Sequence, residues 1–239
     1  YGDIGYNGNN NIITPNLDKF ASESLRFNNF HVSPVCAPTR SSLLTGRYSL
    51  RTGVTDTYNG GAIMSSSEIT LAEIFAEKNY KTGIFGKWHL GDNYPSRPSD
   101  QGFQESLIHL AGGIGQVGDF TNYYAGNQSY FDPALWHNNE IKKYEGYCSD
   151  IFTDEALKFI EQNKSNQFFC YLSFNAPHTP LQVPEKYYDL YKDIDPSNFY
   201  EEVTSEMTER DVNDAKKIYG MVTNLSLIHI SEPTRPTDI

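Results

Sequence analysis

The chain has 239 residues, enough for one or two domains with a sizeable buried core. Its formal net charge of −11 argues against nucleic acid as a main partner, because phosphate recognition wants a basic face. No apolar run approaches the ~20 residues of a membrane span. The chain opens on Tyr1 rather than Met, so its lack of a signal peptide carries no information about location.

Thr14 can cap a helix with Pro15 at its first position, and Leu17, Phe20, Ala21 and Ser24 then share one face. The aromatic run from Leu25 to Val32 suits a strand. Beyond it, Pro38 suits the first turn of a short helix and Gly46 its end. Cys36 then lies at a helix N-terminus, where free N–H groups and the macrodipole attract an anion. Thr45 and Arg47 fall at the far end of that helix, where fixing the packing is the better reading.

Thr70 with Glu73 makes a capping box for a helix carrying Leu71, Ile74 and Phe75. Thr82 to Phe85 reads as a short strand delivering Lys87 and His89, which alternate around Trp88 and share a face if the backbone is extended. The segment from Asn93 to Tyr147 lacks clear periodicity and reads as a long excursion shaping a substrate pocket. Its aromatics, including Tyr123, Tyr124, Tyr130 and Trp136, suit either stacking on sugar rings or ordinary packing. Phe152, Ala156, Phe159 and Ile160 have helical spacing. Gln167 to Phe174 reads as a strand buried on both faces, delivering His178.

Strand and helix alternate, which predicts an α/β fold with a largely parallel sheet and helices on both faces. Each candidate loop follows a strand, so the loops should meet beyond the strands' carboxyl ends. Cys170 lies in the apolar run Phe168–Leu172, where a buried free thiol is a better expectation than a disulfide with Cys148. His31, His109 and His137 match no motif and read as structural or surface residues.

Cys36-Ala37-Pro38-Thr39-Arg40, continued by Leu43-Leu44-Thr45-Gly46-Arg47, resembles the sulfatase signature. Thr14-Pro15-Asn16-Leu17-Asp18, Gly86-Lys87-Trp88-His89-Leu90-Gly91 and Ala176-Pro177-His178-Thr179-Pro180-Leu181 resemble three further segments of that family, in the same order. The resemblance runs from Tyr1 to about Asn224. It implies an alkaline-phosphatase-like core, here incomplete, and a sulfuric ester hydrolase whose cysteine is oxidised to formylglycine by a maturation enzyme. The substrates it implies are sulfate monoesters of sugars or aryl alcohols, and its location periplasmic or secreted.

By the same resemblance, Arg40 holds the formylglycine hydroxyl and the carboxylates of a calcium site that also takes residue 36 as a ligand. Lys87 contacts a sulfate oxygen, His89 the formylglycine hydroxyl, and His178 the sulfate and the leaving oxygen. Two aspartates ahead of Tyr1-Gly2-Asp3 and a later Asp-Asn pair are expected as metal ligands outside this chain, leaving the fragment itself inactive. Two alternatives remain at this stage: a phosphonate or phosphate ester hydrolase of the same superfamily, and a catalytically dead binder of sulfated glycans.

The run Leu225 to Arg235 looks like an in-frame translation of transposase adaptor DNA, with Pro236 to Ile239 read from the index after it. The competing reading is a natural polar tail. Residues 1–224 are then expected to be a partial catalytic domain and 225–239 an exposed, non-native tail, in which His229, Glu232 and Arg235 have no role.

Overall fold

The computed structural model describes residues 2–116, 118–122, 129–199 and 206–228. Tyr123, Tyr124, His229, Glu232 and Arg235 lie outside the described residues. The elements in chain order are α1 (Pro15–Ser22), α2 (Cys36–Thr45), α3 (Leu71–Glu77), β1 (Lys81–Lys87), β2 (Glu105–His109), β3 (Ala134–His137), β4 (Glu140–Lys143), α4 (Cys148–Asn163), β5 (Phe168–Ser173), α5 (Glu185–Tyr188) and α6 (Glu209–Ile228). They fall into two compact units, one of residues 29–175 and one of residues 1–28 with 176–239.

The unit of residues 29–175 is built on a sheet of order β4-β3-β2-β1-β5. β1 pairs in parallel with β2 on one side and β5 on the other, while β3 and β4 extend the β2 edge antiparallel. The parallel centre follows the sequence expectation, and the sheet as a whole is mixed. Alternation along β1 sets its two faces. Phe85 turns to α4, its ring centroid 5.6 Å from that of Phe159. Ile84 turns the other way, into a core with Ala72 of α3, Ala37 and Leu44 of α2, and Trp88. Helices therefore cover both faces.

Local signals place α2 and α3 well. Gly46 closes α2 at φ 68°, a left-handed value that glycine adopts without strain. The Thr70 hydroxyl accepts from Glu73 N at 3.2 Å, and the Glu73 carboxylate accepts from Thr70 N at 2.8 Å. Arg47 fixes the far end of α2, donating to the Glu68 carboxylate at 2.6 and 2.9 Å.

Several expectations are corrected. Leu25 to Val32 forms no strand: it finds no ladder partner among the described residues, and Leu25, Phe27, Phe30 and Val32 are exposed. The excursion from Asn93 to Tyr147 contains β2, β3 and β4. Asn138 and Asn139, at φ 49° and 68°, make the two-residue turn between β3 and β4, a turn that needs positive φ at both positions. β5 is half-buried rather than covered on both faces, since it lies at the edge of the sheet. Cys170 and Cys148 are free thiols, in line with the expectation, but Cys170 is half-buried rather than buried; Cys36 is free as well.

In the other unit, Ile12, Tyr191, Tyr219 and Val222 form a small core. Thr14 does not cap α1 through its side chain: its hydroxyl donates to Asp18 at 2.9 Å and accepts from Gly5 N at 2.8 Å. The expected apolar face of α1 stays unburied, with Phe20 exposed. Of residues 225–239, those from 225 to 228 are described, and they complete α6 rather than forming an exposed tail. Ser226 is buried because its small hydroxyl accepts from the backbone N–H groups of Asn16 and Leu17 at 3.1 and 3.3 Å. Among the described residues no helix is long and apolar enough to cross a membrane.

Candidate active site

The parallel strands β1, β2 and β5 end at Lys87, His109 and Ser173, on one edge of the sheet. Ligands in open α/β sheets gather at this carboxyl edge. Cys36 is brought there as the first residue of α2, after Val35 in extended conformation (φ −132°, ψ 160°). Its Sγ lies 3.3 Å from His89 Nδ1. The Lys87 ammonium is an electrostatic neighbour of the same residue.

Lys87 is only 4% exposed. Burial lowers its pKa to about 8; the neighbouring Cys36 works against that fall, and the Arg40 charge adds to it. His89 reaches Cys36 by an unexpected backbone route. The strand ends at Lys87, and His89 has φ 58°, so extended alternation does not bring the two side chains together. Instead the backbone N–H groups of Trp88 and His89 stay paired with the His109 and Leu110 carbonyls, at 3.1 and 3.0 Å, and the left-handed residue swings its ring to Cys36.

Arg40 stands one turn along α2 and braces this loop. Its Nε donates to the Trp88 carbonyl at 2.7 Å, and its Nη2 donates to the Lys87 carbonyl and, at 3.1 Å, to Ser173 Oγ. The guanidinium also lies over the Tyr171 ring, 5.9 Å from its centroid. The Lys87 ammonium and a helix N-terminus therefore meet at residue 36, with Arg40 bracing the loop that carries Lys87, a setting suited to a tetrahedral anion.

Sequence motifs missed a buried polar layer behind Lys87. His109 pairs in register with Lys87 and is completely buried. Burial keeps its imidazole neutral by lowering its pKa well below the usual value, and the charges of Lys87, Arg40 and His89 push the same way. Among the described residues neither His109 ring nitrogen nor Asn175 Oδ1 makes a hydrogen bond. Asn175 Nδ2 donates to Tyr130 Oη at 2.7 Å, so Tyr130 is packed rather than free to stack on a sugar. His137 bonds Tyr144 Oη at 2.6 Å and belongs to the β3–β4 edge, while His31 is exposed.

Cys36, Arg40, Lys87 and His89 thus meet within the unit of residues 29–175. His178 stands three residues beyond Asn175 in the chain, on the segment that begins the other unit. Its Nδ1 lies 2.7 Å from the Thr179 carbonyl, an acceptor, so Nδ1 carries the proton in that bond.

The setting suits an oxidised residue 36, because a hydroxyl there would meet His89 Nδ1 and the Lys87 ammonium. Calcium is a different matter, since it asks for a shell of oxygen ligands. Among the described residues no group of three or more His, Cys, Asp or Glu is placed to hold a metal ion. The charge shown beside residue 36 is the Lys87 ammonium, so the described residues do not fit calcium by themselves.

A sulfatase family model matches residues 1–214. The chain belongs to the sulfatase family. Human arylsulfatase G is 45% identical over 211 residues, covering 77% of this chain and 40% of the relative. The N-acetylglucosamine-6-O-sulfatase of Bacteroides thetaiotaomicron is 31% identical over 203 residues, covering 82% of this chain and 32% of the relative. The crystal structure of Ps i-CgsB in complex with k-i-k-neocarrahexaose is similar in fold, with a TM-score of 0.75 at 30% identity, over 95% of this chain and 50% of that one. This sulfatase chain therefore spans half or less of the length of these relatives. The structural match also covers an alkaline-phosphatase-like core in incomplete form.

Proposed function

We propose that the complete protein hydrolyses sulfate monoesters, of sugars or of aryl alcohols, at residue 36 after its oxidation to formylglycine. The observation that carries this reading is the convergence on Cys36 of His89 Nδ1, at 3.3 Å, and the Lys87 ammonium. Once hydrated, a formylglycine at residue 36 would supply a hydroxyl nucleophile and, by re-forming the aldehyde, a route for releasing sulfate afterwards. The α2 N-terminus and Lys87 hold the sulfuryl oxygens, and Arg40 keeps the Lys87–His89 loop against α2. His89 holds the proton of the residue 36 hydroxyl at Nδ1. His178 binds sulfate and protonates the leaving oxygen. Each positioned acid or base contributes ~10²–10⁴ in rate.

Calcium belongs to this reading only with carboxylate ligands from outside the described residues. A maturation enzyme acting on Cys36 and a periplasmic or secreted location go with the same proposal. Residues 225–239 take no part in it. The named sulfatase relatives favour sulfate esters over the phosphonate and phosphate alternative, and the assembled side chains at Cys36 favour catalysis over glycan binding alone.

Two measurements test the proposal. Mass spectrometry of the Cys36 peptide should show loss of sulfur and a carbonyl that captures a hydrazide. The complete protein should hydrolyse 4-nitrophenyl sulfate faster than a matched phosphonate ester, and Cys36→Ala should abolish that turnover. An unmodified Cys36 in active enzyme, or activity surviving Cys36→Ala, would overturn it.

A further inference from the structure

We infer that Thr57, through its main-chain carbonyl, and Gly112, through its missing side chain, are positioning residues that hold His89 in one tautomer with the Nδ1 lone pair turned to residue 36. The inference deepens the functional reading above and rests on it for the role of His89.

A carbonyl oxygen can only accept, and Thr57 O lies 2.8 Å from His89 Nε2. The neutral imidazole must then carry its proton on Nε2, which leaves the Nδ1 lone pair directed at Cys36 Sγ 3.3 Å away. With the opposite tautomer, two lone pairs would be apposed at Thr57 and an N–H would face residue 36.

Both sides of the ring are built for this pose. A Cβ on Gly112 would lie 2.8 Å from His89 Cε1 and 3.0 Å from Nε2, so any side chain there displaces the imidazole. Thr57 belongs to a turn that bonds to itself: Thr55 N and Asp56 N donate to the Gly61 carbonyl at 2.8 and 3.1 Å, and Asp56 Oδ1 accepts from Thr57 N at 2.7 Å. Gly61 allows that closure, because a Cβ there would meet Asp56 Cβ at 2.8 Å. The turn and Gly112 line a pocket of about 270 Å³ with His89 in its wall.

The test uses nitrogen-15 NMR of the histidine rings in the 239-residue chain, which reports tautomers without catalytic turnover. The wild-type His89 signals should show a single Nε2–H tautomer at neutral pH. Gly112→Ala should replace that signature with a mixture, and Gly61→Ala should do the same from the other wall. Thr57→Ala, which keeps the carbonyl, should leave it intact. His137, bonded to Tyr144 in the same unit, reports folding in each variant. If Gly112→Ala loses the His137 signature too, Gly61→Ala decides the matter by the same criterion. A wild-type Nδ1–H tautomer, or an unchanged His89 signature in a folded glycine variant, would overturn the inference. Either outcome is independent of whether Cys36 becomes formylglycine, which the mass measurement reads separately.

Discussion

Arg40 Nη2 and Ser173 Oγ stand 3.1 Å apart, and both donate to the carbonyl of Lys87. One acceptor at the end of β1 therefore ties the signature helix α2 to the last residue of β5. The orientation of the Lys87 side chain depends on that junction, since the residue turns from strand to loop at this point.

Ser173→Ala tests the junction. The substitution removes the 2.8 Å bond from Ser173 Oγ to Lys87 O and one acceptor for Arg40, at a buried position. Such a loss costs about 1 kcal/mol. The urea midpoint should fall without a change in slope, because the surface exposed on unfolding is the same.

Lys87 sets a pH dependence whose sign is the reverse of an ordinary ion pair. Its folded pKa of about 8 lies below its ordinary value of 10.5. Between those values the unfolded chain binds more protons than the folded one, so the Lys87 contribution to stability rises with pH. Below pH 8 the cost of burying the ammonium is fully present, and above 10.5 it is gone. Lys87→Met should therefore be more stable than wild type at neutral pH, by an amount on the order of 3 kcal/mol. That advantage should shrink to nothing near pH 10.5. A constant difference across the range would mean that Lys87 is not desolvated.

Gly86→Ala should be among the most damaging single changes in the chain. Gly86 has φ 123°, and a Cβ there would lie 2.0 Å from the backbone oxygen of Ser173. Neither backbone can yield without breaking the β1–β5 pairing that sets Gly86 against Ser173. We expect a loss of roughly 3 kcal/mol or more, or no folded protein at all. Thermal unfolding of the soluble fraction measures it.

The parts of the site that were legible in the sequence are those encoded by short-range rules. Pro38 and Gly46 bound α2, Thr70 and Glu73 start α3, and the signature residues fall where those elements put them. Elements defined by partners far along the chain were not legible. β2 is five residues, buried from Ser106 to His109, with no periodicity to reveal it. Leu25 to Val32 has strand composition and no strand, because composition does not supply a neighbour. Ser173 and His109 support the site through contacts across the sheet that no sequence spacing expresses.

The anion site itself gives the last prediction. Free N–H groups at the start of α2 and the Lys87 ammonium lie beside Cys36, so inorganic sulfate should bind there without any turnover. The charge on Lys87 is needed for this, and it is lost as pH rises through about 8. Sulfate titrations followed at the Cys36 and Ala37 amides should therefore show tighter binding at pH 7 than at pH 9.5. Lys87→Met should weaken binding about tenfold at pH 7, equivalent to ~1.4 kcal/mol, and should remove the pH dependence. Bound sulfate must in turn raise the Lys87 pKa, because an adjacent anion favours the charged form. Equal affinity at both pH values, unchanged in Lys87→Met, would place sulfate elsewhere and leave Lys87 without the role assigned to it.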